Sequence, residues 1–193
     1  AALGANTTAN YNTAIGDNAL AANTTASNNT GVGYNALIAN TTGSENVAVG
    51  RLSLDANTTG SNNVAIGNTA LSDNTTGTQN IAIGSQALFD NTTASNNVAV
   101  GEQALKLNTT GYENTAVGTS ALGGNTTGLQ NTVIGAAAGP EMTTAAYNVV
   151  IGYSAASHIT NLTSGNANTI VGSYARTSGA TTTLANAFGH DIS

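Results

Sequence analysis

The triplet Asn-Thr-Thr recurs every 17 residues, and this fixed period constrains the fold more than any other feature of the chain. A second block, Asn-x-Ala-x-Gly, keeps the same step, so strand-like and turn-like segments alternate at constant spacing. A short fixed period of this kind predicts one coil of a β-solenoid per repeat. We therefore predict an all-β fold, a β-solenoid (β-roll) of 17-residue coils. The triplets begin at Asn6, Asn23, Asn40, Asn57, Asn74, Asn91, Asn108 and Asn125.

The repeat is regular over residues 1–135 and modified after them. Met142 takes the place of the Asn that begins the triplet, close to Pro140, the only proline. The spacing between Gly152 and Gly172 grows to 20 residues. We predict a regular shaft over 1–135 and modified terminal coils over 136–193, which form a tip or a junction.

Each repeat contains a short apolar run that ends in Gly, such as Val47-Ala48-Val49-Gly50. Side chains alternate between the two faces of a strand, so Val47 and Val49 share one face and Ala48 takes the other. The branched face and a column of Leu four residues after the Gly can together close a narrow apolar interior. The predicted core is Ile15, Val49, Ile66, Ile83, Leu37, Leu54, Leu71 and Leu88.

The residue between the two branched positions is small in most repeats. A solvent face would more often carry Thr, Lys, Ser or Glu, whereas a column of Ala suits the close approach of another chain. We interpret this column as the seam of a trimer, and a tightly packed face within one chain is the alternative. The predicted seam is Ala14, Gly31, Ala48, Ala65, Ala82, Ala99, Ala116, Val133 and Val150.

The composition argues against several classes of function. Charged residues make up 6% of the chain, and only Arg51, Lys106 and Arg176 are basic. Nucleic-acid binding needs clustered Lys and Arg, so no nucleic-acid partner is expected. We expect no membrane insertion, because no apolar run is long enough to cross a bilayer. The chain has no Cys, so neither a disulfide nor a thiolate metal site can form.

Candidates for catalysis or metal binding are few. Ser193, His190 and Asp191 are adjacent in sequence, and adjacency alone does not orient a triad. His190 and Asp191 supply only two donors, fewer than a metal site needs. We predict a protein that is not an enzyme and has no cofactor.

The Asn-Thr-Thr triplets also fit the pattern of N-glycosylation, as do the segments that begin at Asn28 and Asn161. Their periodicity is better explained by turn formation, since Asn turns the chain through its own side chain. Stacked Asn and Thr can also hydrogen-bond from coil to coil.

The strand block, as in Asn63-Val64-Ala65-Ile66-Gly67, resembles repeats in the heads of YadA-like trimeric adhesins. The fuller unit, with Ala-Leu and Asn-Thr-Thr-Gly after the strand, is similar to tail-fibre-type proteins that carry a self-cleaving C-terminal chaperone. This resemblance implies an intertwined or side-by-side homotrimeric fibre, located extracellularly, on a cell surface or on a virion. It also implies attachment to a host, prey or cell surface through a glycan or protein receptor.

Recognition is expected at the modified end, where the candidate residues are Tyr153, His158, Tyr174, Arg176 and His190. Two alternatives stay open. The chain could be a monomeric ice-binding β-solenoid, with Asn57, Thr59 and their repeats ordering water on a flat face. It could also be a passive spacer that sets the reach of a fibre.

Overall fold

The computed structural model describes residues 1–157, 163–176 and 186–189, and the chain in these ranges is all-β, with no helix. Each Asn-x-Ala-x-Gly block forms one strand of three residues, as do the later blocks with a different middle residue, because the β-branched residues that flank the middle position in β1 to β10 favour extended backbone. The strands are β1 Thr13–Ile15, β2 Thr30–Val32, β3 Val47–Val49, β4 Val64–Ile66, β5 Ile81–Ile83, β6 Val98–Val100, β7 Thr115–Val117, β8 Thr132–Ile134, β9 Val149–Ile151, β10 Thr169–Val171 and β11 Asn186–Phe188.

The eleven strands form one parallel sheet in which spatial order follows sequence order. Equivalent residues of successive repeats pair directly, as Val64 does with Ile81 and Ile66 with Ile83. The longer repeat before β10 keeps this register, since Thr169 pairs with Val149. The chain is therefore a parallel β-solenoid of about 17 residues per coil, as the period predicted. At about 4.8 Å per strand, the sheet is roughly 50 Å long.

The Leu column lies inside the coil, as predicted. Leu37, Leu54, Leu71 and Leu88 have no exposed surface. The branched strand residues do not join them, and this part of the core prediction is wrong. Ile15 is 61% exposed, and Ile66, Ile83 and Val49 are exposed or half-buried on the outside of the sheet.

The predicted seam is also wrong, because its residues point into the coil. Gly31, Ala48, Ala65, Ala82, Ala99, Ala116, Val133 and Val150 are buried, and Ala14 in the first coil is half-buried against the same core. The reason is the size of the interior. An added Cβ on Gly31 would lie 3.3 Å from Cγ of Leu20, so a small residue is needed opposite the Leu column. The alternative, a packed face within one chain, is the one that the structure confirms.

Two ladders of Asn fill the other part of the interior. The Asn that opens each triplet is buried from Asn23 to Asn125, and it bonds to its copy in the preceding coil. Asn57 Nδ2, for example, donates to Asn40 Oδ1 at 2.8 Å and to the Gly60 carbonyl at 2.9 Å. The Asn before each strand also bonds to its copy in the preceding coil. In addition, Asn46 Nδ2 donates to the Gly60 carbonyl that accepts from Asn57, at a distance of 2.9 Å. These bonds satisfy the amides and confirm the predicted coil-to-coil contacts.

The corner that follows each strand has an unusual backbone. The core Leu adopts a left-handed conformation in coil after coil, with φ of 53° at Leu54 and 54° at Leu71. This conformation costs roughly 1–2 kcal/mol for a residue with a Cβ. Complete burial of a Leu side chain contributes roughly 1.5–3 kcal/mol, so burial offsets the backbone strain.

Candidate functional site

The outside of the sheet carries two columns of side chains, formed by the first and third residues of each strand. We call these the outer strand columns. Their third residues are aliphatic in β1 to β10 and Phe in β11. Several are well exposed for residues of this type, namely Ile15 at 61%, Ile66 at 38%, Ile83 at 37%, Ile134 at 39% and Phe188 at 64%.

The outer strand columns contain no charged residue. Their first residues are Val or Ile in β3 to β6 and β9, Thr in β1, β2, β7, β8 and β10, and Asn in β11. Equivalent residues are paired across the sheet, so the columns run straight along its length of roughly 50 Å. The result is a narrow, uncharged and mainly aliphatic stripe open to solvent on the single chain.

A second regular surface is formed by the last Thr of each Asn-Thr-Thr triplet. This Thr is exposed in every repeat. The first Thr of the triplet is partly buried in most repeats, and its hydroxyl donates to a carbonyl of the next coil, as Thr58 does to the Thr75 carbonyl at 3.1 Å. In the ice-binding alternative, Asn57 and Thr59 would lie together on a flat face, but Asn57 is fully buried and only the Thr is exposed. The exposed column is Thr8, Thr25, Thr42, Thr59, Thr76, Thr93, Thr110, Thr127 and Thr144.

The structure brings together two of the residues predicted for recognition. The rings of Tyr153 and Tyr174 meet edge to face, with centroids 5.4 Å apart and an interplanar angle of 80°. Both rings are about half exposed, and a side-chain hydrogen bond with Tyr153 raises the pKa of the Tyr174 phenol. Arg176 is exposed nearby in sequence. His158 and His190 lie outside the described residues, as do Asp191 and Ser193.

Charged groups lie on the corners of the coil. Arg51 lies over the ring of Tyr34 in the neighbouring coil, 6.0 Å from its centroid. Burial, followed by the charges of Asp90 and Asp55, raises the pKa of Asp73.

Within the described residues, no three Asp, Glu or His side chains are grouped closely enough to hold a metal ion. No helix long and apolar enough to span a membrane is found in the same ranges.

The glycosylation patterns differ in accessibility. The Asn of the triplets is buried in the described coils from Asn23 onwards, so those side chains cannot accept a glycan in the folded chain. Asn6 and Asn28 are exposed. Turn formation therefore explains the repeated triplets, because each Asn closes its own turn through the bond to the carbonyl three residues later.

The chain matches no known family model, and no curated protein or solved structure is significantly similar to it.

Proposed function

We propose that this chain is a segment of an extracellular fibre, and that three copies associate side by side through their outer strand columns. The exposure of these aliphatic columns along the whole sheet is the observation that carries the proposal. Contiguous apolar surface on a single chain favours association, because burial of apolar area from water is favourable.

The partner that fits the stripe best is a second copy of the same chain. The stripe repeats at the strand spacing, so a parallel copy can set one aliphatic side chain against another in every coil. The stripe is also free of charge, so no ion has to be buried when copies meet. The number three comes from the resemblance of the strand block to the heads of trimeric adhesins.

A pair of lysine variants in one coil tests this interface. Ile66→Lys places an ammonium in the stripe, whereas Thr59→Lys places it on the exposed Thr column of the same coil. We expect Ile66→Lys to dissociate the assembly and Thr59→Lys to leave its mass unchanged, as measured by light scattering after size exclusion. Circular dichroism verifies that both remain folded. If Ile66→Lys kept the wild-type mass, the interface would lie elsewhere.

Attachment to a host, prey or cell surface completes the proposed function, and we propose that Tyr153, Tyr174 and Arg176 form the recognition site. Exposed aromatic rings, with an exposed Arg two residues further along the chain, suit a surface glycan or a protein receptor. The test is the binding of fluorescent protein to bacterial cells and to a glycan array. We expect the double variant Tyr153→Ala/Tyr174→Ala to lose binding, and the control Tyr11→Ala to retain it. Wild-type protein that binds neither would indicate a passive spacer.

A second candidate function is ice binding, and the exposed Thr column favours it. One Thr hydroxyl per coil, at a spacing of roughly 4.8 Å, forms a regular row that could order water. Thermal hysteresis at millimolar protein concentration is the decisive assay. Hysteresis that disappears in Thr59→Lys/Thr76→Lys would replace the fibre proposal, whereas its absence in the wild type would end this candidate.

A further inference from the structure

We propose that a notch on the side of the solenoid binds an acidic sugar, that is, a pyranose that carries a carboxylate. The notch, which we call the Gly123–Gly124 notch, has a volume of about 340 Å³. Small-molecule sites typically have volumes of about 300–1,000 Å³, so this one suits a ligand of one or two rings. No strand residue lines it, so the proposal does not depend on the proposed trimer.

The notch lies at a corner where two successive residues have no side chain. The two residues before each Asn-Thr-Thr triplet form this corner, and Gly123-Gly124 is the only pair in which both are Gly. The coil below carries Lys106-Leu107 there, and the coil above carries Pro140-Glu141. The preceding corners are Gly4-Ala5, Ala21-Ala22, Ile38-Ala39, Asp55-Ala56, Ser72-Asp73 and Phe89-Asp90.

The backbone keeps the notch in place. A Cβ added to Gly124 would lie 2.2 Å from the Pro140 carbonyl oxygen, so no side chain can be accommodated at this position. Leu107, which is 42% exposed, and Pro140 provide apolar walls on the two sides of the gap. These walls suit the C–H face of a pyranose ring.

The Gly124 amide, at the corner that lines the notch, makes no hydrogen bond with a described residue. At the same position of the earlier coils, the N–H donates to a carbonyl of the next coil, as Asp90 does to Lys106 at 2.9 Å and Leu107 to Gly123 at 3.2 Å. Gly124 makes no such bond within the described ranges. Gly124 is half-buried, so this N–H is available to a ligand or to water.

The one charged residue that lines the notch is basic, although the chain is acidic. Lys106 lines the notch, and its ammonium forms no ion pair or hydrogen bond with any described residue. The whole chain has only three basic residues against nine acidic ones, so a free lysine here is not part of a general basic surface. An ammonium and a free N–H together favour a carboxylate, because hydrogen bonds to charged groups are the stronger ones.

Two further groups suit sugar hydroxyls. Gln103 donates Nε2 to Gln86 Oε1 at 3.0 Å, which leaves its own Oε1 available as an acceptor. Ser120 adds a hydroxyl to the lining of the notch. Lys106, Gln103 and Ser120 thus line the same notch as its two apolar walls, and this combination of residues suits an acidic pyranose.

The test uses the full chain with D-glucuronate, D-galacturonate and N-acetylneuraminate, and with D-glucose as the neutral control. Saturation-transfer NMR and calorimetry measure binding. We expect saturable binding of at least one acid and none of glucose. Lys106→Gln should weaken the binding about tenfold, the scale of one charged hydrogen bond.

A blocking variant tests the place of binding. Gly123→Phe fills the notch, because a Cβ at Gly123 meets no atom closer than 3.2 Å and Phe89 shows that the corner accepts this side chain. Ile38→Phe makes the same change at the same corner in a distant coil. We expect Gly123→Phe to abolish binding and Ile38→Phe to leave it unchanged. Binding of none of the acids, equal binding of glucose, competition by acetate at equal concentration, or unchanged binding in Gly123→Phe would each overturn the proposal.

Discussion

Met142 occupies the ladder position that follows Asn125, and the Oδ1 atom of Asn125 is buried there without a donor. In the earlier coils, the next Asn supplies this hydrogen bond, as Asn125 Nδ2 does to Asn108 Oδ1 at 2.7 Å. Met142 is itself fully buried and has no N–H in its side chain to offer. The Asn ladder therefore ends inside the protein, and its last acceptor is unsatisfied.

The first prediction concerns an interruption of this ladder. Asn74→Met repeats the natural replacement in the middle of the shaft and leaves Asn57 Oδ1 without its donor, Asn74 Nδ2, at 2.9 Å. We expect the free energy of unfolding to fall by about 1–3 kcal/mol, the cost of a buried unsatisfied group. Met142→Asn is the reverse change, since its amide can supply the donor that Asn125 Oδ1 lacks. Urea denaturation measures both, and equal stability of Asn74→Met and wild type would contradict this account of the ladder.

The second prediction concerns the Gly that closes each strand. Gly67 has φ of +137°, and an added Cβ would lie 2.6 Å from the carbonyl carbon and oxygen of Gly84. Gly67→Ala should therefore destabilise the protein by at least about 1–3 kcal/mol. Gly31→Ala is the matched change, because other coils carry Ala at this inner position. It should be neutral or stabilising by up to about 1 kcal/mol. Thermal unfolding of the two variants gives the comparison, and equal losses would contradict the prediction.

The third prediction concerns the volume of the apolar interior. The inner residue of each strand packs against the Leu column, so Leu88→Ala should cost about 2–5 kcal/mol. Ala82→Val supplies volume to the same space and should cost about 1–3 kcal/mol on its own by overpacking. The double variant should be more stable than Leu88→Ala alone. A double-mutant cycle by urea denaturation measures this coupling, and strict additivity would show that the two positions do not share a space.

The fourth prediction concerns pH. Burial and the neighbouring Asp90 and Asp55 raise the pKa of Asp73 above its usual 3.8 in the folded chain. The folded state then holds this proton more tightly than the unfolded state, so stability falls as pH rises through the raised pKa. Asp73→Asn should be more stable than wild type at pH 7, and the difference should vanish when the pH falls below the usual value. Urea unfolding at both pH values tests this, with Glu45→Gln as the control for loss of one charge. A difference that persists in acid would contradict it.

The sequence predicts the coil and the positions of its strands, because a fixed period places equivalent residues above one another. It also predicts the Leu column and the stacking of Asn. Alternation alone does not decide which face of a strand points inward. The sequence analysis predicts that the face with the Val and Ile side chains lies inside. The structure has the opposite arrangement, because the Leu column leaves room for only a small residue.

The sequence does contain a signal for the face that points inward, namely the side-chain sizes at the Leu position and at the inner strand position. Where the Leu position shrinks to Gly139 and Ala156, the inner strand residue grows from Ala to Val133 and Val150. An added Cβ on Gly139 would lie 3.6 Å from Cγ1 of Val133, so the two columns share one volume. The Gly123–Gly124 notch could not be read in this way, because it depends on where the Pro140 carbonyl lies.

The central claim, assembly through the outer strand columns, is tested most directly by the mass of the wild-type protein in solution. One chain weighs 18.9 kDa, so three weigh 3 × 18.9 = 56.7 kDa. We expect light scattering after size exclusion to give the mass of three chains, and we expect this mass to persist on dilution. A mass of one chain at all concentrations would contradict the claim and leave the aliphatic stripe without its proposed partner.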